Sequence, residues 1–164
     1  MGYWAKGARV VNVLFVCLGN ICRSPTAEGV FRHLVREEGL EAQIHVDSAG
    51  THAYHIGEAP DPRAQDEAKR RGINISALRG RQATTEDFER FDYVLAMDRE
   101  NHRNLQAICP PRMAEKLSMF LDFAPHIGVR EVPDPYYHGG FDGVYDMIEA
   151  AARGLLDDIR KKHL

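Results

Sequence analysis

Cysteine is scarce in this chain: Cys17, Cys22 and Cys109 are its three thiols among 164 residues. An odd count without a framework of spacings excludes a disulfide-stapled scaffold and points to a reducing compartment. An excess of one charge is lacking too. The 21 basic and 24 acidic residues leave a net charge of −3, and the basic ones are scattered, so neither a nucleic-acid surface nor a polybasic membrane patch is expected. Any anion site must therefore be local. No apolar run approaches membrane-spanning length. The opening MGYWAKGARV is too polar and Gly-broken for a secretory signal, and Lys6 stands where a myristoylation signal wants Ser or Thr. Repeats, low-complexity stretches and dividing linkers are missing as well. A cytoplasmic protein is the expectation. With 44% hydrophobic residues in 164, the chain can fill one core and not two, so one domain is expected.

What is there is an alternation of strand and helix signals. Val10 to Val16 is a nearly continuous β-branched and aromatic run, as in a strand covered on both faces of a parallel sheet. Ser24 followed by Pro25 reads as an N-cap and first helical residue, and Ala27, Val30, Phe31 and Leu34 keep helical spacing until Gly39. AQIHVDSAG reads as the second strand and its turn, and DPRAQDEAKRRG as a helix capped by Asp61 and closed by Gly72. FDYVLAMD is the third strand. A polar helix over Arg103 to Ile108 and a fourth strand in KLSMFL follow. A long loop with three prolines then leads to a last helix over Gly143 to Lys162, with Val144, Ile148, Ala151, Leu155 and Ile159 as its inner stripe. This order predicts an α/β three-layer sandwich: a central four-stranded parallel sheet, right-handed crossovers and helices on both faces. In such a sheet, ligands bind at the carboxyl ends of the strands.

The loop CLGNICRS leaves the first strand at that end. A helix start directly after a strand offers unpaired N–H groups and a positive dipole end to an anion. Gly19 and Asn20 are residue types that readily take left-handed angles, so the loop can curl its amides inward as a nest. A nucleotide P-loop is excluded, because spaced glycines and a Gly-Lys-Ser/Thr ending are absent. Instead Cys17 and Arg23 flank the loop. Arg23 can fork two phosphate oxygens, while the amides above Cys17 favour its thiolate, a nucleophile aimed at phosphorus. Ser24 can cap the helix or donate to that thiolate. Taken singly, Cys17 and Cys22 would read as small buried apolar residues and Arg23 as a surface charge. The register of strand, Gly-Asn, Ser-Pro and helix favours the chemical reading.

VCLGNICRSPTAE, Val16 to Glu28, resembles the N-terminal signature of the low-molecular-weight protein tyrosine phosphatases. DSAGT (Asp47 to Thr51), PDPRA (Pro60 to Ala64), AMDREN (Ala96 to Asn101) and DPYY (Asp134 to Tyr137) resemble the family's other landmarks in the family's order. The resemblance covers residues 10–164 and leaves 1–9 as an extension. It implies Cys17 as nucleophile, Arg23 as the phosphate and transition-state ligand, Ser24 as support for the thiolate and Asp134 as proton donor. Leu18, Gly19, Asn20, Ile21 and Cys22 complete the phosphate-binding loop, and Ser48 is its implied support. Tyr136 and Tyr137 match an aromatic pair that walls the family's pocket, with Tyr54 opposite. Ile21 resembles phosphotyrosine-type members, whereas phosphoarginine phosphatases of this fold carry Thr there. No metal or other cofactor is implied. His52 and His55 form the closest histidine pair and have no further ligand set around them.

Implied partners are phosphotyrosine-containing proteins, including a bacterial tyrosine kinase or its substrates. In many relatives the thiol matching Cys22 forms a reversible disulfide with the nucleophile, so reversible oxidation is expected as well. Cys109 reads as structural. In one place the chain departs from the pattern: Leu78 stands where relatives carry a His that steadies the loop asparagine, so Asn20 needs other partners. Arg79 and Arg81 could add positive field near the loop, though solvated surface charges are the favoured reading. Two other readings remain at this stage. An arsenate reductase shares the fold and the anion loop but needs relay cysteines that Cys109 alone does not supply. A phosphate-binding module without catalysis would have no need of Asp134.

Overall fold

The computed structural model describes residues 9–164. The expected extension 1–9 lies outside the described residues except for Arg9, whose guanidinium pairs with Asp92 at 2.8 Å. Four strands, β1 (Val11–Cys17), β2 (Ile44–Gly50), β3 (Tyr93–Ala96) and β4 (Leu117–Met119), form one sheet in the order β2-β1-β3-β4. All three pairings are parallel. The helices are α1 (Arg23–Glu37), α2 (Pro62–Arg70), α3 (Asp87–Arg90), α4 (Arg99–Gln106), α5 (Pro135–His138) and α6 (Phe141–His163), with short 3-10 turns around β4. The predicted four-stranded parallel α/β sandwich is the fold observed.

The side-chain alternation of β1 explains the layers. Val11, Val13, Phe15 and Cys17 enter a core shared with α1 and α6, where Phe15 meets Phe31 and Phe120 edge-on at centroid distances of 5.7 and 5.0 Å. Leu14 and Val16 enter the opposite core with Phe88, Phe91 and Leu105. The inner stripe predicted for the last helix is buried throughout.

Several boundaries differ from the sequence reading. Helix α1 begins at Arg23, and Ser24 makes no cap bond; its hydroxyl is engaged elsewhere. The polar helix starts at Arg99 rather than Arg103, because the Asp98 side chain accepts from the Asn101 N–H as an N-cap. Strand β4 is shorter than KLSMFL, since Phe120–Phe123 turns into a 3-10 helix. The last helix begins at Phe141, two residues early, from a left-handed Gly140. Arg81 is not a solvated charge. Its guanidinium lies 3.0 Å from Asp47 and 3.0 Å from the buried Asp87, while Arg79 does reach only local carbonyls. Among the described residues no helix is long and apolar enough to cross a membrane, and no group of three metal-ligating side chains occurs.

Candidate active site

Strand β1 ends at Cys17, and the chain curls through Leu18 to Cys22 before α1 begins at Arg23. The curl depends on Asn20, the one non-glycine residue with positive φ (60°) among the described residues, in the region that Asn tolerates best after Gly. Carbonyls of the loop turn outward. Those of Cys17 and Leu18 accept from the N–H groups of Thr51 and His52, that of Ile21 from Asp61, and that of Cys22 from Thr26. The amides of Leu18, Gly19, Ile21 and Cys22 donate to no partner among the described residues. Bonded carbonyls and unpartnered amides are the arrangement that an anion nest requires. Gly50 is required beside it, since a Cβ there would stand 2.9 Å from the Leu18 carbonyl oxygen.

Cys17 lies at the floor, with its Sγ 3.0 Å from Ser24 Oγ. The Ser24 hydroxyl thus lies against the sulfur and makes no helix cap. Asn20 Nδ2 donates to Ser24 Oγ at 2.8 Å and to Ser48 Oγ at 3.0 Å, while its Oδ1 accepts from the Arg81 N–H at 3.0 Å. Those three partners hold Asn20, so Leu78, half-buried against the core, is free to be apolar. Burial, with Asp61 adding to it, pushes the Cys22 thiol far above its ordinary range. A thiol held neutral in this way is a poor nucleophile.

Arg23 is 2% exposed. Its Nη1 donates to Asp98 Oδ2 at 2.7 Å and to the Val132 carbonyl at 2.9 Å, and its Nη2 lies 3.4 Å from Asp134 Oδ2. Burial works against this charge, but Cys17, Asp98 and Asp134 outweigh it, and the pKa of Arg23 stands above the usual arginine value. Its Nε is buried without a partner among the described residues. Arg23 also lines the cleft, and a buried N–H without a partner is an uncommon feature.

The cleft above Cys17 has a volume of about 140 Å³ and is lined by Leu18, Gly19, Ile21, Cys22, Arg23, Tyr54, His55, Asp134, Tyr136 and Tyr137. Asp134 Oδ1 accepts from the Tyr136 N–H at 3.0 Å, which caps the short α5 and fixes the carboxylate at the cleft wall. Tyr136 and Tyr137 meet edge-on at 5.1 Å, and Tyr54 stacks on His52 at 5.1 Å. All three rings stay substantially exposed. Every residue expected in the loop, the catalytic set or the aromatic wall therefore lines this cleft, except Asn20, Ser24 and Ser48, which are bonded together beside it.

Four participants were missed. Asp98 fixes Arg23 although the sequence offered it only within AMDREN. Glu28, the last residue of the signature, accepts from Ser48 Oγ at 2.6 Å. Arg81 reaches Asn20 through its main chain, for which the sequence carries no signal. His55 packs over the loop, close enough that a Cβ on Gly19 would lie 2.9 Å from its ring.

The comparisons agree with this geometry. Residues 12–164 match the family model described as low molecular weight phosphotyrosine protein phosphatase. The low molecular weight protein-tyrosine-phosphatase YfkJ of Bacillus subtilis is 40% identical over 153 residues, covering 93% of this chain and 98% of its own. Its crystal structure superposes with a TM-score of 0.92 over 94% of this chain and 98% of that one. The low molecular weight phosphotyrosine protein phosphatase of Homo sapiens is 42% identical over 150 residues, 89% of this chain and 94% of its own. A Drosophila structure titled as an arginine phosphatase superposes with a TM-score of 0.84 at 33% identity, over 92% of this chain and 98% of its own. With its whole sheet, its thiol-bearing loop and its carboxylate wall accounted for, the chain belongs to the low molecular weight phosphotyrosine protein phosphatase family.

Proposed function

We propose that this enzyme hydrolyses phosphotyrosine, and small aryl phosphates, through a phosphocysteine intermediate and without a metal ion. The observation that carries the reading is the convergence of Cys17, Arg23 and Asp134 on one tyrosine-walled cleft, with the Arg23 Nε left without a partner among the described residues. In the first displacement Cys17 Sγ attacks phosphorus in line, forming the S–P bond as the P–O bond breaks. Asp134 gives its proton to the leaving oxygen. In the second, water attacks phosphorus, Asp134 takes its proton, and the S–P bond breaks to release phosphate. The inward amides and Arg23 stabilise the equatorial oxygens in both steps, supplying the charge compensation that phosphoryl transfer needs.

The two carboxylates near Arg23 divide the work. Asp98, at 2.7 Å, is committed to the guanidinium, whereas Asp134, at 3.4 Å, is held loosely and remains available for proton transfer. Ile21 and the tyrosines suit an aryl ring better than a guanidino group, which favours phosphotyrosine over phosphoarginine. The three free thiols include no relay pair beside Cys109, so the arsenate reductase reading has no support. A cytoplasmic setting, with phosphotyrosine proteins, a bacterial tyrosine kinase among them, as partners, completes the proposal.

The test is hydrolysis of an aryl phosphate in the presence of a chelator. Cys17→Ser is expected to abolish turnover, Asp134→Ala to slow it by about 10²-fold or more, and inorganic phosphate or vanadate to compete with substrate. Turnover by Cys17→Ser at the wild-type rate would refute the mechanism.

A further inference from the structure

Behind the loop, polar side chains form a single file that ends at the sulfur. Arg32 Nη2 donates to Glu28 Oε2 at 2.6 Å and to the Val46 carbonyl at 2.9 Å. Ser48 Oγ lies 2.6 Å from Glu28 Oε1, and Asn20 Nδ2 bridges Ser48 Oγ and Ser24 Oγ. Ser24 Oγ reaches Cys17 Sγ. Glu28 is 4% exposed and does not line the cleft.

Each donor in the file can be deduced. A backbone N–H only donates, so the Arg81 amide requires Asn20 to present Oδ1 to it and to turn Nδ2 toward the two serines. Both serine oxygens then accept from Asn20. An ionised carboxylate only accepts, so the Ser48 proton goes to Glu28. The Ser24 proton is left for Cys17 Sγ at 3.0 Å, the nearer choice over the Ala49 carbonyl at 3.4 Å. A hydroxyl directed at the sulfur favours thiolate over thiol.

We propose that Glu28, paired with Arg32, is a positioning residue: by taking the Ser48 proton it leaves Ser48 Oγ to accept from Asn20, and so steadies the asparagine that holds Ser24 with its hydroxyl toward Cys17. A neutral carboxyl would donate to Ser48 instead, free the Ser48 proton to turn toward Asn20 and cost the asparagine one of its acceptors. Burial raises the pKa of Glu28, an effect that Ser48 and Arg32 oppose and Asp47 on β2 reinforces. Arg32, on the same helix, is the cation that pairs with this charge among the described residues. This inference rests on the reading of Cys17 as nucleophile.

The experiment is alkylation of Cys17 by iodoacetate as a function of pH, quantified on the Cys17 peptide, in wild type, Glu28→Gln, Ser48→Ala and the double variant. Alkylation reports the thiolate without turnover, so failure of this inference is distinguishable from failure of the phosphatase reading. In Glu28→Gln the midpoint is expected to rise by about one pH unit and kcat to fall about tenfold with KM little changed. The double variant should match Ser48→Ala alone. An unmoved midpoint and kcat in folded Glu28→Gln, or additive effects in the double variant, would overturn the proposal. Should Glu28→Gln not fold, the carbon-13 resonance of the Glu28 carboxyl in the wild-type protein decides: an ionised group at neutral pH supports the inference, a protonated one overturns it.

Discussion

Single residues carry more than one duty at this site. Asn20 shows it best, since one side chain in a left-handed backbone holds Ser24, Ser48 and the Arg81 main chain together. Asn20→Ala removes all three bonds and keeps the backbone strain, worth about 1–2 kcal/mol by itself. It is expected to lower kcat by more than tenfold and to lower the melting temperature in a thermal scan. Cys22 sits in the same curl as a neutral thiol. After peroxide converts Cys17 to its sulfenic acid, condensation with the Cys22 thiol would release water and form a disulfide that a thiol reductant reopens. Activity should therefore recover in wild type after reductant is added, and fail to recover in Cys22→Ser; equal recovery in both would remove Cys22 from the protection.

At the scale of elements, the ends matter most. Asp98 caps α4 through the Asn101 N–H and pairs with the buried Arg23, so Asp98→Ala takes a cap worth about 1 kcal/mol and leaves a buried cation short of its nearest partner, a loss of about 3 kcal/mol. Urea unfolding should show that loss, and phosphate inhibition should weaken alongside it as Arg23 drifts. Helix α6 presses so closely on the turn before it that a Cβ on Gly154 would overlap the Phe123 carbonyl; Gly154→Ala should destabilise despite its better helix propensity. Strand β1, α1 and α6 were legible because their apolar spacing is regular. Helix α4 was legible only in its second half, within the polar helix over Arg103 to Ile108; of its eight residues only Asn101 and Leu105 are buried, so no apolar stripe marks its start. The cleft was legible where the loop and its anion chemistry are contiguous in the chain. Its scaffold was not: Arg81 acts through a backbone amide and Glu28 through a chain of bonds, and neither leaves a local pattern.

For the whole molecule, pH dependence follows from two carboxyls shifted in opposite senses. The side-chain and main-chain bonds of Arg63 hold Asp61 below the usual aspartate range, against some burial. Its contribution is complete above the ordinary aspartate value near 4 and is lost as pH falls through the lower folded value. Glu28 is raised, chiefly by burial. The folded state then binds the extra proton, so stability from this group is full below the ordinary glutamate value and declines as pH rises through the folded one. Glu28→Gln should thus gain stability relative to wild type as pH rises through that window, even while it slows catalysis. A constant difference in unfolding free energy between the two proteins from pH 4 to pH 8 would contradict the burial account.

The contacts of Arg23 also bear on biogenesis. Its partners Asp98, Val132 and Asp134 lie 75, 109 and 111 positions further along the chain. On the ribosome, the thiol-bearing curl is translated first and the anchors of its guanidinium last. A chain arrested before Val132 has therefore made the thiol-bearing curl yet lacks two of the three anchors of Arg23, so the guanidinium is fully braced only after Asp134 has been added.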